Sequence, residues 1–260
     1  MARDERAVRG GRLEVAPDAE ALARLAAHHF RAAAAGAVRR GGRFAVALAG
    51  GSTPRALYAE LARSAAAPEP AVDWSRARVF WGDERCVPPD HPDSNYRMAR
   101  ETLLDQVAIP RDRIHRMRGE DADPDRAAAL YEAELRAALG ASEEAVPGIP
   151  RLDLVLLGLG PDAHTASLFP GSPALEETVR LVAAPFVAKL NARRLTLTPP
   201  ALNAALRVMF LVSGSGKAAP LRDVLEGEVR PDVHPAQCVR PSSGTVLWLA
   251  DAAAASLLRR

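Results

Sequence analysis

The chain has 260 residues, 48% of them hydrophobic and 25% charged, and its 34 basic side chains nearly balance 32 acidic ones to leave a net charge of +2. This balance, without a block of basic residues, argues against a nucleic-acid-binding protein, and no apolar run reaches the roughly 18 residues of a membrane span. The two isolated cysteines disfavour a disulfide framework and favour a reducing, cytoplasmic setting.

Apolar strand-like runs alternate with helical patterns along the chain. Strands are predicted at 43–49, 78–81, 153–157, 180–184, 194–198, 208–212 and 245–250. Helices are predicted at 19–35, 54–63, 95–107, 124–139, from 217 to about 225, and at 252–258, with Asp18 and Ser94 as N-caps. Such alternation predicts an α/β fold with a mostly parallel, Rossmann-like sheet covered on both faces, a three-layer αβα arrangement. The Pro/Ala-rich stretches 65–72 and 142–150 are too short for domain linkers, so we expect one domain over residues 1–260.

The first candidate site is the glycine turn after the strand at 43–49. Gly50 and Gly51 let the backbone approach a ligand, and we expect Thr53 as N-cap with Pro54 at the first helical position. The free N–H groups of Gly50, Gly51, Ser52 and Thr53 at a positive helix end make an anion site. An ordinary strand-to-helix turn with a hydroxyl cap is the alternative.

A second charged segment follows the strand at 78–81. Gly82 is followed by Asp83, Glu84 and Arg85, which at the end of a strand can bind sugar hydroxyls and a phosphate group. A solvated charged turn explains the same pattern, and taken alone this segment favours that explanation.

The strand at 153–157 leads into the most informative segment, in which Asp162 and His164 lie two residues apart. Open α/β sheets place their chemistry beyond the carboxyl ends of strands, so this pair is predicted to be a general base and the group that orients it. The run from Gly158 to Ala163 also matches a G-x-G-x-x-A dinucleotide pattern. Against that alternative, Pro161 removes an amide N–H and Asp162 adds a negative charge where a pyrophosphate would bind.

Basic side chains in the second half of the chain are candidates for phosphate contacts. Arg193 and Arg194 precede an apolar strand, and Lys217 follows a Gly/Ser turn that lacks P-loop spacing. The histidines and cysteines do not have the spacing of a metal site, so we expect neither a metal nor a cofactor.

Together these segments resemble the 6-phosphogluconolactonases. The residues that carry the resemblance occur in the family's order over nearly the whole chain, at 49–54, 81–85, 93–96, 158–170, 194–198 and 214–217. The wider superfamily includes glucosamine-6-phosphate deaminases, which share the glycine turn, the Asp-Glu pair and the Asp-x-His. In those deaminases a glutamate follows the Asp-x-His, whereas this chain has Leu168, Phe169 and Pro170, and they tend to have tyrosine where this chain has Arg85.

One position departs from the lactonase pattern. Between Asp162 and His164 the family usually has glycine, whereas this chain has Ala163. If a positive φ is needed there, alanine costs roughly 1 kcal/mol and shifts the loop geometry.

The resemblance implies hydrolysis of 6-phospho-D-glucono-1,5-lactone, a step of the pentose phosphate pathway. His164 would take a proton from the attacking water and Asp162 would orient it. The glycine turn, Arg85, Arg194 and Lys217 would bind the phosphate, and Asp83 the sugar. A monomer is expected. The alternatives are a deaminase or sugar-phosphate isomerase with Asp83 as base, a nicotinamide-dependent oxidoreductase, and a non-catalytic sugar-phosphate sensor.

Overall fold

A computed structural model describes residues 4–63, 71–141 and 146–259 of the chain. Its strands are β1 (Asp4–Val8), β2 (Gly11–Ala16), β3 (Phe44–Leu48), β4 (Ala77–Trp81), β5 (Asp83–Arg85), β6 (Leu154–Gly158), β7 (Val182–Ala183), β8 (Phe186–Val187), β9 (Ala192–Leu197), β10 (Arg207–Val212) and β11 (Thr245–Asp251). Its α-helices are α1 (Ala19–Gly41), α2 (Ser52–Arg63), α3 (Asn95–Thr102), α4 (Pro124–Leu139), α5 (Pro199–Asn203) and α6 (Ala218–Glu226). Much of the predicted loops at 65–72 and 142–150 lies outside the described residues.

The large sheet has seven strands in the order β1-β2-β11-β10-β6-β3-β4. All of its pairs are parallel except the β1–β2 hairpin at one edge. Every residue of β3 is buried, so the centre of the sheet is covered on both faces, as parallel sheets require. The predicted α/β fold with a mostly parallel sheet is therefore confirmed.

Helix termini follow local sequence signals. The Asp18 carboxylate accepts a hydrogen bond from the N–H of Ala21, and Gly42 ends α1 in the left-handed region with φ of 68°. Ser94 caps α3 through the N–H of Arg97, as predicted. None of the described helices is both long and apolar enough to cross a membrane.

One predicted element is wrong and another is shorter than predicted. Residues 252–258 form turns instead of a helix: the Asp251 carboxylate accepts from the N–H of Ala254 at 2.7 Å, as at the start of a helix, but the run is too short to propagate. The strand predicted at 180–184 contains only β7, because the carboxylate of Glu132 takes the N–H of Leu181 at 2.7 Å. The β1–β2 hairpin and the three-residue strand β5 were not predicted, and α3 ends earlier than the predicted helix.

A small antiparallel sheet adjoins the large one where β4 ends. Its order is β5-β9-β7, and β8 also pairs with β9. Gly82 joins the two sheets, because its N–H donates to the carbonyl of Leu48 in β3 and its carbonyl accepts from Leu197 in β9. This junction places β5 and β9 beside the carboxyl ends of β3, β4 and β6.

Candidate active site

A cavity of about 220 Å³ opens at the carboxyl ends of β3 and β6, beside Gly82. A larger cavity of about 740 Å³ lies at the opposite edge, beside the first residues of β10 and β11. The smaller cavity is the candidate site, because open α/β sheets bind ligands beyond the carboxyl ends of their strands and because the predicted pair, His164 with Asp162, lies there.

His164 faces this cavity, and Asp162 lies behind it. The Nδ1 of His164 is 2.5 Å from Oδ1 of Asp162, whose other oxygen accepts from the ammonium of Lys189. A carboxylate on Nδ1 requires the proton to be there, which leaves Nε2 as the basic nitrogen. The geometry is that of a general base with its orienting group.

Two close contacts confine the imidazole. Phe169 stacks on it with ring centroids 4.1 Å apart and an interplanar angle of 26°. On Gly160, a Cβ atom would lie 1.9 Å from His164 Nδ1, so only glycine fits there. Neither contact was predicted from the sequence, although the segment 158–170 that contains both residues was predicted to be part of the site.

The loop around His164 is conformationally strained. Ala163 and Ala166 have φ values of 59° and 47°, in the region that favours glycine. Hydrogen bonds hold the loop in place: Gly160 N–H donates to the His164 carbonyl at 2.8 Å and Ala236 N–H to the Ala163 carbonyl at 3.0 Å. The positive φ considered for Ala163 is therefore present.

The two titratable groups have pKa values suited to base catalysis. Burial is the largest influence on His164 and lowers its pKa below 6.5, against the raising effect of Asp162 and Asp83. Burial alone would raise the pKa of Asp162, but hydrogen bonds from Lys189 and His164 lower it to about 2. At neutral pH the pair is therefore a carboxylate and a neutral imidazole.

Asp83 faces the cavity from the start of β5. Its carboxylate accepts from the Ser167 hydroxyl at 2.7 Å and from the Asn95 side-chain amide at 3.3 Å. Asn95 also lines the cavity, and its Oδ1 is so close to Gly50 that a Cβ atom there would lie 1.9 Å away. The sequence placed Asn95 at the start of a helix and among the residues that carry the resemblance, but it was not predicted as a cavity residue.

Glu84 has a structural position instead. It is buried, and its carboxylate accepts from the backbone N–H groups of Asn95 and Tyr96 at 2.7 and 2.8 Å. Those are the first N–H groups of α3, so Glu84 binds the end of that helix. Burial raises the pKa of Glu84, and these hydrogen bonds partly offset the rise.

Three cations surround the site. Arg85 and Lys217 line the cavity, and Arg194 is the cross-strand partner of Arg85 in the β5–β9 ladder. In the described part of the chain, none of the three forms an ion pair with a carboxylate. Burial followed by the charge of Arg85 lowers the pKa of Arg194, and burial lowers that of Lys217. Like charges on facing positions are unfavourable, so this arrangement suits an anion.

Arg193 points elsewhere. Its guanidinium pairs with the Asp125 carboxylate at 3.1 Å and donates to the carbonyl of Ala184 at 2.9 Å. The alternation of side chains along β9 therefore favours Arg194 as the residue at the anion site.

The predicted glycine turn is present, but the N-cap of the following helix is not the residue that was predicted. Gly51 has φ of 103° and its carbonyl accepts from the N–H of Arg55 at 3.1 Å, so α2 begins at Ser52 and Thr53 is not its N-cap. Gly50 and Gly51 line the cavity, whereas the side chains of Ser52 and Thr53 lie outside its lining. The first N–H groups of α2 have no intrahelical acceptor, so they remain anion donors.

The dinucleotide interpretation lacks a structural basis. In that fingerprint the glycine turn opens a helix whose N-terminus holds the pyrophosphate. Here the turn after Gly158 leads into the strained loop, and the next helical element is a single 3-10 turn at Pro173–Leu175. Within the described ranges, no group of three or more histidine, cysteine and acidic side chains is arranged to hold a metal ion.

Comparisons with known proteins agree with one another. A family model described as glucosamine-6-phosphate isomerases/6-phosphogluconolactonase matches residues 17–248. The 6-phosphogluconolactonase of Synechocystis sp. is 44% identical over 86% of this chain and 88% of its own length. The human 6-phosphogluconolactonase is 40% identical over 92% of this chain and 88% of its own.

Solved structures include the same kind of enzyme. The 6-phosphogluconolactonase of Trypanosoma brucei superposes with a TM-score of 0.82 at 32% identity, covering 95% of this chain and 98% of that one. A monomeric glucosamine-6-phosphate deaminase, at 21% identity and a TM-score of 0.77 over 94% of this chain and 99% of its own, shares the fold.

Proposed function

The chain belongs to the glucosamine-6-phosphate isomerase/6-phosphogluconolactonase family, and from this premise we propose that it is an enzyme that hydrolyses 6-phospho-D-glucono-1,5-lactone to 6-phosphogluconate. The observation that carries the proposal is the neutral imidazole of His164, held by Asp162, over a cavity lined by Arg85 and Lys217, with Arg194 opposite Arg85 in the β5–β9 ladder.

The phosphate anchors the substrate away from the reacting carbon. It binds Arg85, Arg194 and Lys217, with the backbone N–H groups at the start of α2 as further donors. Asp83, fixed by Ser167 and Asn95, accepts hydrogen bonds from sugar hydroxyls. Binding energy from these remote groups places the lactone carbonyl beside His164.

Water is the nucleophile. Nε2 of His164 accepts a proton from the water as its oxygen forms a bond to C1, and the charge of Asp162 stabilises the imidazolium. The bond between C1 and the ring oxygen then breaks, and the ring oxygen takes the proton from the imidazolium. The product is the open-chain acid, and the imidazole is again neutral.

The structure offers less support for deamination. The residue that stacks on His164 is Phe169, so an aromatic ring stands where a deaminase would need a carboxylate in proton transfer. Asp83, the base which that alternative would use, is already bound to Ser167 and Asn95.

Substrate comparison tests the proposal. We expect hydrolysis of 6-phosphoglucono-1,5-lactone with kcat/KM at least about 100-fold above that of unphosphorylated glucono-1,5-lactone, since each charged hydrogen bond contributes about 1.5–3 kcal/mol. Both rates are corrected for spontaneous opening, and ammonia release from glucosamine 6-phosphate is measured in parallel. Ammonia release without lactone hydrolysis would assign the chain to the other branch of its family.

A further inference from the structure

Lysine is rare in this chain, and both lysines lie near one carboxylate. Of the 34 basic side chains, only Lys189 and Lys217 are lysines. Lys189 donates to Oδ2 of Asp162, and the charge of Asp162 partly offsets the lowering of the Lys217 pKa by burial. An ammonium is a compact point charge, whereas a guanidinium is planar and longer, so the two are not interchangeable at a crowded site. The position of Lys189 therefore merits a functional explanation.

Lys189 touches both groups that support the imidazole. Its ammonium bonds the oxygen of Asp162 that His164 does not use, and it lies 5.0 Å from the centroid of the Phe169 ring. The same ring stacks on the imidazole of His164. Lys189 itself is not among the residues lining the cavity. It therefore acts behind the imidazole.

The backbone that carries Lys189 is well fixed. The residue lies in the turn Ala188–Leu190 of the β8–β9 hairpin. Asn191 closes the turn with φ of 46°, donating its N–H to the carbonyl of Ala188 at 3.1 Å. Further along β9, the hydroxyl of Thr196 accepts from the N–H of Ser167, in the loop of His164. The hairpin and the catalytic loop are thus attached to each other.

We propose that Lys189 is a positioning residue, which holds Asp162 and Phe169 against His164 and so aligns the imidazole for the hydrolysis proposed above. The inference rests on that proposed function. An ordinary surface ion pair would contribute about 0–1 kcal/mol to stability and nothing to the reaction rate, so the proposed role of Lys189 differs from that of such a pair. Lys189 is 48% exposed, so its contribution lies in alignment more than in stability.

A pH profile separates the two roles. The charged groups that act on His164 are Asp162 and Asp83, which raise its pKa, and Lys189, which lowers it; the charge of Asp162 also acts on Lys217. Removing the Lys189 charge therefore raises the pKa of His164. Because the base is then protonated at higher pH, the acid limb of kcat/KM moves to higher pH.

The test compares Lys189→Met, which keeps most of the side-chain length, with Lys189→Arg and a matched control, Arg193→Met. Arg193 belongs to the same hairpin, is 44% exposed and pairs with Asp125.

We expect Lys189→Met to lower kcat about tenfold with KM little changed, since misalignment at this scale costs one to two orders of magnitude. In Lys189→Met, the acid limb of kcat/KM should move to higher pH, and the His164 pKa, measured by NMR of the imidazole, should rise. Lys189→Arg keeps the His164 pKa of the wild type and recovers part of kcat, and Arg193→Met behaves as the wild type.

Two results would overturn the inference. One is a Lys189→Met variant with the kcat and His164 pKa of the wild type. The other is a raised KM with kcat and His164 pKa unchanged, which would make Lys189 a substrate contact. Failure of the proposed function would be distinguishable, because the wild type would then not hydrolyse the lactone while the NMR titration would still report on the contact between Lys189 and the pair.

Discussion

At the scale of single residues, the site depends on a few close approaches around one imidazole. Asp162 fixes the tautomer of His164, Phe169 covers one face of its ring, and Gly160 has no side chain that would collide with the ring. The sequence predicted a site at Asp162 and His164, because an acid and a histidine two residues apart after a buried strand form a local pattern. It could not identify Lys189, since that contact joins residues 27 positions apart through a hairpin that no local pattern specifies.

The pH dependence of activity follows from the burial of His164. Because burial lowers its pKa, we expect the acid limb of kcat/KM to lie below pH 6.5, with activity lost as pH falls through that limb. Steady-state rates over a series of overlapping buffers measure it. A limb above 6.5 would indicate that the imidazole is stabilised in its charged form, contrary to this account.

Ala163 tests the strained loop. Replacement by glycine should change the free energy of unfolding by less than about 0.5 kcal/mol, since relief of about 1 kcal/mol of strain is offset by a lost buried methyl group and greater chain entropy. Ala163→Val places a β-branched residue at φ of 59° in a buried position and should cost more than about 2 kcal/mol. Urea denaturation of both variants measures these changes in the free energy of unfolding. Equal stability of Ala163→Val and wild type would mean that the loop does not hold this conformation.

At the scale of elements, the site is built where β4 ends and β5 begins. Gly82 bonds to β3 on one side and β9 on the other, so Asp83 and Arg85 enter the cavity from the small sheet. Parallel strands, their order of alternation with helices, and the caps Asp18 and Ser94 were predictable, because they rest on local patterns. The small sheet was not, because β5 has three residues and β8 two, and because β5 pairs with β9, a strand far along the chain.

Glu84 should matter for α3 more than for chemistry. Glu84→Gln replaces one carboxylate oxygen by an amide that faces N–H donors, so we expect a loss of about 2 kcal/mol in the free energy of unfolding. Because α3 carries Asn95, the KM for the lactone should also rise. Glu120→Gln, which removes one side of a surface pair with Arg116, is the control and should have a much smaller effect. Full stability of Glu84→Gln would show that α3 does not depend on this carboxylate.

At the scale of the whole molecule, charge is distributed unevenly although the net charge is only +2. Many arginines pair with carboxylates, as Arg24, Arg116 and Arg136 do, whereas Arg85 and Arg194 face each other across a strand pair beside the cavity. Composition alone could not reveal this local excess, because it depends on the β5–β9 register. The organisation as one domain over residues 1–260 and the monomeric state stay predictions from the sequence.

Anions should therefore stabilise the folded protein. At 100 times its Kd, 6-phosphogluconate should raise the free energy of unfolding by about 2.7 kcal/mol and Tm accordingly. We expect Arg194→Gln to lose most of this thermal shift, while Arg193→Gln, whose guanidinium pairs with Asp125, retains it. Equal shifts in the two variants would mean that Arg194 does not bind the phosphate.

The most direct test of the central claim is hydrolysis of freshly generated 6-phosphoglucono-1,5-lactone by the wild type and by His164→Ala, corrected for spontaneous opening. The account predicts turnover by the wild type and a loss of about 100- to 10,000-fold in the variant, the range that general base catalysis contributes. Thermal stabilisation by 6-phosphogluconate should be retained in the variant, because the phosphate site is separate from the imidazole. Near wild-type turnover by His164→Ala would contradict the account, since the base would then be another group.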